Sequence, residues 1–473
     1  MSDAYDVVPY DDFPVAETHV DRLYVAGRRR GVACARPEVS RVLELGCAHG
    51  VNLAPMAFHL PHGRFVGVDL SESQIARGRE RYASLGMANF ELVAANVQSL
   101  DLRGEQFDYI VAHGLYSWVP SEVRDSILRV IRDHLAPNGI AYVSFNAMPA
   151  WGVRGAVRAA LIELVSLDLE PRARVAAARR ALEALGQVDA LPGTAEGALL
   201  QEEFRALKSK PDAYLLHEYL SPHCEAFYLR QVVADASRHA LGWVTDVADS
   251  GLDRDSAEAL RRSVDAMVSS TVAREQIADV LTFRQFRASL FAHAASRRDA
   301  ELALDEAYFV ANDAPRDDDE AVLFDALADP AGTHFGAALE RTGQAPDALR
   351  DRLADLVEST RVTVRPRRLP IEAPSPSPRV AALTRLEASH QSFVTNPKHE
   401  YAPTDAFHAA LLTRLDGSTR ATVVAGLIEA LDAGRFVLRA PPGVDPAAVL
   451  HELVDRAVPT LARAGLLVTD AVR

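Results

Sequence analysis

The feature that most constrains the fold is a regular alternation of strand and helix signals between residues 41 and 150. Short apolar runs such as V-L-E-L and F-V-G-V are each followed by a stretch with helical periodicity. A chain that returns through a helix after each strand builds a parallel sheet, because its strands then point the same way. Helices cover both faces of such a sheet. We therefore expect an α/β domain here.

The chain of 473 residues is too long for a single core and predicts several domains. After residue 155 the composition shifts to Ala, Leu, Arg and Glu at helical spacing, which predicts an all-helical region. A proline-rich stretch near residues 365–378 indicates an extended linker. The predicted units are an N-terminal arm and cofactor cap (1–40), the α/β core (41–155), a helical regulatory or lid domain (156–300), a helical connecting segment (301–372) and a C-terminal helix-rich module (373–473).

Two further expectations concern the ends of the chain. The acidic stretch from Tyr5 to Leu23 is too polar and too interrupted by proline to predict a core helix, so we expect it to fold over a cofactor. Capping the edge of the sheet is the alternative. In the C-terminal module, residues 435–439 read as a strand among helices, and a winged-helix-like fold is one expectation.

Charge and cysteine content restrict the function classes. The formal net charge is −14, whereas a protein that neutralises nucleic-acid phosphates is normally basic, so we expect no nucleic-acid partner. The three cysteines are widely spaced, which predicts neither disulfides nor a metal cluster and favours a reducing compartment. With no signal peptide and no run long enough to span a bilayer, we expect a cytoplasmic protein that does not insert into membranes.

The string E-L-G-C-A-H-G at residues 44–50 is the candidate ligand-binding loop. A strand runs into Gly46, and glycines allow a ligand to approach the backbone with no Cβ in the way. Asp69 ends the next strand 23 residues later, the offset at which a carboxylate can accept hydrogen bonds from ribose hydroxyls.

The loop lacks the glycine spacing G-x-G-x-x-G of dinucleotide sites, and the chain has no G-x-x-x-x-G-K-[S/T] loop. Cradling a phosphate is therefore not its task. A ligand with adenosine and ribose but no phosphate fits better, and S-adenosylmethionine is the commonest such cofactor. Another nucleotide on a Rossmann-like fold is the alternative.

The strings E-L-G-x-x-x-G, G-V-D-L-S, F-D-Y-I-V-A-H-G and L-A-P-N-G-I-A-Y-V-S resemble the class I S-adenosylmethionine-dependent methyltransferases across residues 40–150. The resemblance implies a Rossmann-like core with a mostly parallel, seven-stranded sheet. It also implies that Asp69 holds the ribose, that Leu70 packs on the adenine, and that Asn96 stands where many members have an adenine-binding Asp. The implied cofactor-binding residues are Glu44, Gly46, Cys47, Ala48, Gly50, Asn52, Asp69, Leu70, Gln74, Asn96, Val97, His113, Tyr10 and His19.

Methyl transfer is an in-line displacement by a lone pair, so catalysis consists mainly of alignment, desolvation and an unprotonated nucleophile. His113 follows the fourth strand, where the methyl group would be presented, and is a candidate base. Tyr116 is the second catalytic candidate. Aromatic walls could hold an amine by cation–π attraction, although core packing is the alternative. The predicted substrate-binding residues are Tyr116, Trp118, Trp151, His217 and Tyr219.

A second set of strings narrows the resemblance to one subgroup, in which the core is joined to a methyltransferase regulatory domain. They are A-H-G-L-Y-S-W-V-P at 112–120, H-E-Y-L-S at 217–221, F-R-Q-F-R at 283–287 and V-T-N-P-K-H at 394–399. Within this subgroup are bacterial enzymes that methylate lysines of outer-membrane proteins. The resemblance also makes a homodimer reasonable.

Three hypotheses for function follow. The first is transfer of a methyl group from S-adenosylmethionine to an amine such as a protein lysine. The second is methylation of a small molecule, with the helical domain as a substrate lid. The third is a non-catalytic S-adenosylmethionine sensor, which the intact loop and His113 disfavour.

Overall fold

The computed structural model describes residues 7–8, 13–188, 192–247, 254–264, 267–296, 298–439 and 443–469. Seven strands form the central sheet in the order β3-β2-β1-β4-β5-β7-β6. Neighbours from β3 to β5 pair in parallel, whereas β7 is antiparallel to both β5 and β6. These strands are Arg41–Leu45 (β1), Arg64–Asp69 (β2), Phe90–Ala94 (β3), Phe107–Ala112 (β4), Leu135–Asn146 (β5), Leu241–Asp246 (β6) and Phe286–His293 (β7).

Helices lie on both faces of this sheet and beyond it. The longer ones in the first 300 residues are Val20–Arg28 (α1), Leu53–His59 (α2), Glu72–Tyr82 (α3), Ser121–His134 (α4), Trp151–Leu164 (α5), Pro171–Leu185 (α6), Ala195–Ser209 (α7), Leu229–Arg238 (α8), Arg254–Val264 (α9) and Thr271–Thr282 (α10). Within the described ranges, no helix combines the length and apolar character needed to cross a bilayer.

The predicted Rossmann-like, mostly parallel seven-stranded sheet is confirmed, but part of it comes from an unexpected place. Strands β6 and β7 lie in the stretch that we expected to be all-helical. The Ala-rich helices on either side dominate the composition of that stretch, while β7 pairs on both edges and is buried along most of its length. The core therefore draws two strands from beyond residue 155.

The N-terminal arm also differs from expectation, because it enters the core as helix α1. Val20 and Leu23 are fully buried and pack with Val42 and Ile140 of the sheet. The polar residues Thr18, His19 and Asp21 are buried as well, each with a hydrogen-bond partner. The polar composition of the stretch therefore did not reveal that it belongs to the core.

Residues 301–372 form a separate three-stranded sheet with three helices, and not the purely helical connection that we expected. Its strands are Tyr308–Ala311 (β8), Thr333–His334 (β9) and Val362–Arg365 (β10), and its helices are Asp318–Ala326 (α11), Phe335–Thr342 (α12) and Pro346–Glu358 (α13).

The C-terminal domain combines four helices with one small hairpin. They are Ala382–His390 (α14), Phe393–Thr395 (β11), Tyr401–Pro403 (β12), Ala406–Leu412 (α15), Arg420–Asp432 (α16) and Pro446–Arg463 (α17). The predicted strand at 435–439 is wrong, since these residues form no strand. Phe436 is instead buried against Phe407, so one side chain anchors the segment without a strand partner.

Candidate active site

The loop between β1 and α2 takes an unusual backbone path over the carboxyl end of the sheet. Gly46 and Gly50 have φ angles of 74° and 82°, and Ala48 has one of 49°. A non-glycine residue in this left-handed region is strained and is held there by its surroundings. Here the Ala48 amide donates to Oδ2 of Asp69 at 2.8 Å, and the Gly46 amide donates to the Val68 carbonyl at 2.8 Å. The loop is therefore fixed before any ligand arrives.

Asp69 is central to this arrangement. Its Oδ1 accepts from the Ser71 amide at 2.8 Å, and Ser71 in turn caps α3. An ionised carboxylate can accept about four hydrogen bonds, and the two from the backbone leave capacity for a diol. Beside it, Leu70 is exposed on the cavity wall, as expected for a side chain that covers a flat ring.

Glu44 and Asn52 form a buried pair on the opposite side of the loop. The Asn52 amide nitrogen donates to Oε1 of Glu44 at 2.8 Å, and the Asn52 oxygen accepts from the Val15 amide at 2.8 Å. The arm thus reaches the cofactor loop through Val15, and both Val15 and Phe13 line the cavity.

His113 lies directly after β4 at the centre of the site. Its Nδ1 is 3.0 Å from the hydroxyl of Tyr142, and the ring of Phe286 lies edge-on at 5.8 Å. Burial lowers the pKa of His113 to about 4. The imidazole is therefore neutral at physiological pH, with one N–H and one acceptor nitrogen.

A wall of aromatic and charged groups follows on the other side of His113. The rings of Trp118 and Trp151 meet edge-to-face at 6.1 Å, and both line the cavity. The guanidinium of Arg154 lies 5.7 Å from the Trp151 ring centre. Residues Leu215–Tyr219 form a π-helical turn, a rare element that is frequent at functional sites, and it brings His217 and Glu218 to the cavity.

Most of these groups line one cavity of about 1770 Å³. Pockets for single small ligands typically measure about 300–1,000 Å³, so there is room for a cofactor and a second molecule. The carboxylates of Glu44 and Asp69 flank the loop, which favours a cationic ligand over a phosphate. Oε1 of Gln74 is buried on the same wall and has no hydrogen-bond partner in the described part of the chain. It is thus an acceptor suited to a ligand hydroxyl or amine, and the residues present fit S-adenosylmethionine.

The structure brings most of the predicted site residues to this cavity. The predicted residues that line it are Glu44, Gly46, Cys47, Ala48, Asn52, Asp69, Leu70, Gln74, Asn96, Val97, His113, Trp118, Trp151 and His217. Tyr10 lies outside the described residues. Gly50 is not in the lining, and a Cβ there would come within 3.0 Å of Phe90, so its role is to let the loop pack.

Three predicted contacts with ligands need correction. Tyr116 is fully buried and its hydroxyl donates to Asp235 at 2.9 Å. Tyr219 is fully buried against Trp151, with its hydroxyl on Glu203. His19 is buried beside His399 and caps α1. None of these three side chains lines the cavity. Tyr219 packs against Trp151 and Tyr214, which do line it.

Several lining residues were missed from the sequence. They are Phe13, Val15, Ser71, Arg154, Tyr214, Glu218, Gln285, Phe286, Leu386 and His390. The isolated aromatic Phe13 in a polar arm and the polar cluster at 217–223 were available signals for two of them. Ser71, Gln285 and Phe286 lie within strings that carried the family resemblance, but no role was assigned to them. The others reach the site through tertiary contacts.

Comparisons with known proteins match three parts of the chain to domain families. They are a methyltransferase domain (residues 43–141), a predicted methyltransferase regulatory domain (211–293) and the C-terminal winged helix domain of PKMT (377–466). The C-terminal module is thus of the winged-helix type.

The similar proteins include two from Rickettsia prowazekii. The uncharacterized protein RP789 is 34% identical over 61% of this chain and 52% of its own length, so the chain spans about half of that relative. The uncharacterized protein RP028 is 32% identical over 50% of this chain and 94% of its own length. The solved structure of PKMT2 from Rickettsia typhi in complex with AdoHcy superposes with a TM-score of 0.82 and 24% identity, covering 98% of this chain and 100% of that one. The two proteins share a fold throughout.

Proposed function

Because the chain belongs to the S-adenosylmethionine-dependent methyltransferases that carry a methyltransferase regulatory domain, we propose that it methylates an amine nucleophile, such as the lysine side chain of a protein. The observation that carries the proposal is the single cavity that joins the loop at Asp69 to the wall at Trp118. The match to the winged helix domain of PKMT, a protein lysine methyltransferase, supports a polypeptide acceptor.

In this proposal, S-adenosylmethionine supplies an electrophilic methyl group on a sulfonium. Asp69 binds the ribose hydroxyls and Gln74 offers a further acceptor. Glu44, held by Asn52, faces the cationic methionyl part. Leu70 and Asn96 lie along the wall where the adenine would pack.

The second half of the cavity would take the acceptor. Its wall carries the carboxylates of Asp168, Glu170 and Glu218 against the guanidiniums of Arg154 and Arg174, a balance that suits a cationic side chain. Because Arg154 already lies against the ring of Trp151, Trp118 is the better aromatic contact for the incoming amine.

His113 would orient the acceptor and would not serve as its base. An amine such as lysine has a pKa near 10.4, and an imidazole whose pKa is about 4 holds that proton poorly. The amine would lose its proton to solvent as it enters the partly apolar cavity, since burial disfavours the charged form. Neutral His113 would then form a hydrogen bond with the amine. The hydrogen bond between His113 and Tyr142 would hold the imidazole ring in place.

We further propose a cytoplasmic location, which is supported by the cysteines Cys34, Cys47 and Cys224, all of them free thiols. We also propose that the protein forms a homodimer and that it does not bind nucleic acid.

Transfer of a radiolabelled methyl group from S-adenosylmethionine into a lysate that is then separated by size tests the acceptor class. Label in polypeptide that survives acid hydrolysis as methyllysine is the expected result. Label confined to the low-mass fraction would instead support the small-molecule alternative. The same assay with the Asp69→Ala variant shows which part of the label depends on the proposed cofactor site.

A further inference from the structure

The hairpin of the C-terminal domain brings a histidine into the cofactor loop. Nε2 of His399 lies 2.9 Å from Oδ1 of Asn52, and the two residues are 347 positions apart in the sequence. Both side chains are buried. His399 is the last residue of the string V-T-N-P-K-H, which the proposed function leaves unexplained.

The orientation of the Asn52 amide follows from its neighbours. The backbone N–H of Val15 can only donate, so the atom that it meets at 2.8 Å must be the amide oxygen. The NH2 group therefore faces Glu44 at 2.8 Å and the Thr18 hydroxyl at 3.0 Å. The Thr18 hydroxyl has one hydrogen and lies 2.8 Å from the Val15 carbonyl but 3.1 Å from the Asn52 oxygen. Donation over the shorter distance leaves the second lone pair of the Asn52 oxygen for His399.

The histidine can supply only one hydrogen here. Burial, followed by the charges of neighbouring groups such as His19, holds the pKa of His399 well below its usual value. A neutral imidazole carries one N–H, and its place opposite an acceptor oxygen puts that hydrogen on Nε2. Every donor and acceptor of the Asn52 amide is then used, which makes its orientation unique.

The hairpin is built to hold His399 in this position. Its φ angle is 64°, a left-handed conformation that costs energy for a residue other than glycine. The side chain of Asn396 stabilises the turn by accepting from the amides of Lys398 at 2.9 Å and Glu400 at 3.0 Å. The strain is thus maintained by the fold of the C-terminal domain.

We infer that His399 is a positioning residue for cofactor binding: through Asn52 it fixes the carboxylate of Glu44, so that the C-terminal domain completes the cofactor site. The inference rests on the proposed function, because it assigns Glu44 to the methionyl part of S-adenosylmethionine.

Substitution of His399 by glutamine or by asparagine distinguishes a role in positioning Asn52 from a role in the turn alone. The Nε2 of glutamine can take the place of the histidine Nε2, whereas the shorter asparagine cannot reach Asn52. Asparagine, however, tolerates a positive φ better than glutamine. If His399 acts through its hydrogen bond, His399→Gln retains function and His399→Asn loses it. If His399 matters only for the turn, asparagine is the milder change.

The experiment measures the affinity for S-adenosylhomocysteine by calorimetry and the kcat and KM for S-adenosylmethionine. We expect His399→Asn to weaken binding and raise KM about five- to tenfold with kcat nearly unchanged, the effect of one net hydrogen bond. His399→Gln should stay within twofold of the unmodified chain. His408→Asn, a change at a half-buried histidine of the same domain that does not line the cavity, is the matched control.

Equal affinity in His399→Asn and the unmodified chain, or equal losses in the asparagine and glutamine variants, would overturn the inference. An unmodified chain that binds no S-adenosylhomocysteine would instead refute the proposed function, and this inference with it. Failure of the inference is thus seen in the variants, whereas failure of the proposed function is seen in the unmodified chain.

Discussion

At the residue scale, the carboxylate of Asp69 has two tasks that the structure separates. It accepts from the backbone amides of Ala48 and Ser71, which shapes the loop, and it retains lone pairs that face the cavity. The same side chain thus preorganises the site and would bind the ribose, so that little ordering is needed when the cofactor arrives.

Asp69→Ala should therefore weaken S-adenosylhomocysteine binding by about 100-fold or more, because several hydrogen bonds to a charged group are lost together. Calorimetry measures the affinity. Asp101→Ala makes the same change in net charge at a solvent-exposed turn and is the control. An affinity within threefold of the unmodified chain would refute the assignment of Asp69 to the ribose.

His113 provides a pH-dependent prediction. Since its pKa is about 4, its charge does not change between pH 7 and 9, whereas the neutral fraction of the acceptor amine rises over that range. We expect kcat/KM to rise about tenfold per pH unit over this range, as the neutral fraction of an amine with a pKa near 10 does.

His113→Ala should lower kcat by about 10- to 100-fold, because the acceptor loses a group that orients it, and should keep the same slope against pH. S-adenosylhomocysteine affinity, measured in parallel, should change less than kcat. A slope that disappears in the variant would identify His113 as the base after all.

At the scale of elements, the sheet edge at β6 and β7 is held to helix α10 by buried charges. Arg287 is completely buried and donates to Asp246 at 2.5 Å and to both oxygens of Asp279 at 2.8 Å. Arg284 joins the same two carboxylates. Because β7 begins with Phe286, which contacts His113, this cluster also sets one wall of the cavity.

Arg287→Met should reduce the free energy of unfolding by about 3–5 kcal/mol, since it leaves buried carboxylates without their cation. Urea unfolding followed by circular dichroism measures the change. Arg262→Met removes an exposed arginine from its pair with Glu258 on α9 and should cost less than about 0.5 kcal/mol. Similar values for the two variants would show that the buried cluster does not stabilise the fold.

At the scale of the whole molecule, the C-terminal domain is packed against the core and not merely tethered to it. Leu383 of α14 is fully buried together with Ala54 and Tyr82. Leu386 and His390 of the same helix line the cavity, and His399 reaches Asn52. A role confined to gripping a protein substrate would not require these contacts.

Removal of residues 375–473 should consequently weaken S-adenosylhomocysteine binding as well as methylation of protein. A tail that only bound the protein acceptor would leave cofactor binding and small-acceptor turnover intact. Calorimetry on the truncated chain, with circular dichroism to verify that the sheet is retained, distinguishes the two outcomes. Undiminished affinity in a folded truncated chain would show that the cofactor site is complete without the C-terminal domain.

The sequence by itself determined the parts of this protein that depend on local periodicity and turn chemistry. Apolar runs spaced by helices predicted β1 to β5, and Gly46 and Asp69 located the cofactor end of the sheet, because the carboxyl ends of parallel strands meet at one edge. The limits of α3 follow equally local chemistry, since Ser71 caps its first turn and Gly86 takes a left-handed conformation after it.

The tertiary structure alone decided which distant segments complete the sheet and the cavity. Strands β6 and β7, the wall at Phe286 and the bond from His399 to Asn52 depend on pairing and burial across hundreds of residues, and no local pattern encodes them. Tertiary structure also decided the positions of Tyr116 and Tyr219. A tyrosine is suited to the wall of a binding site, but both of these side chains pack into the core. A motif indicates which residue types are near a site, whereas packing determines which side chains face it.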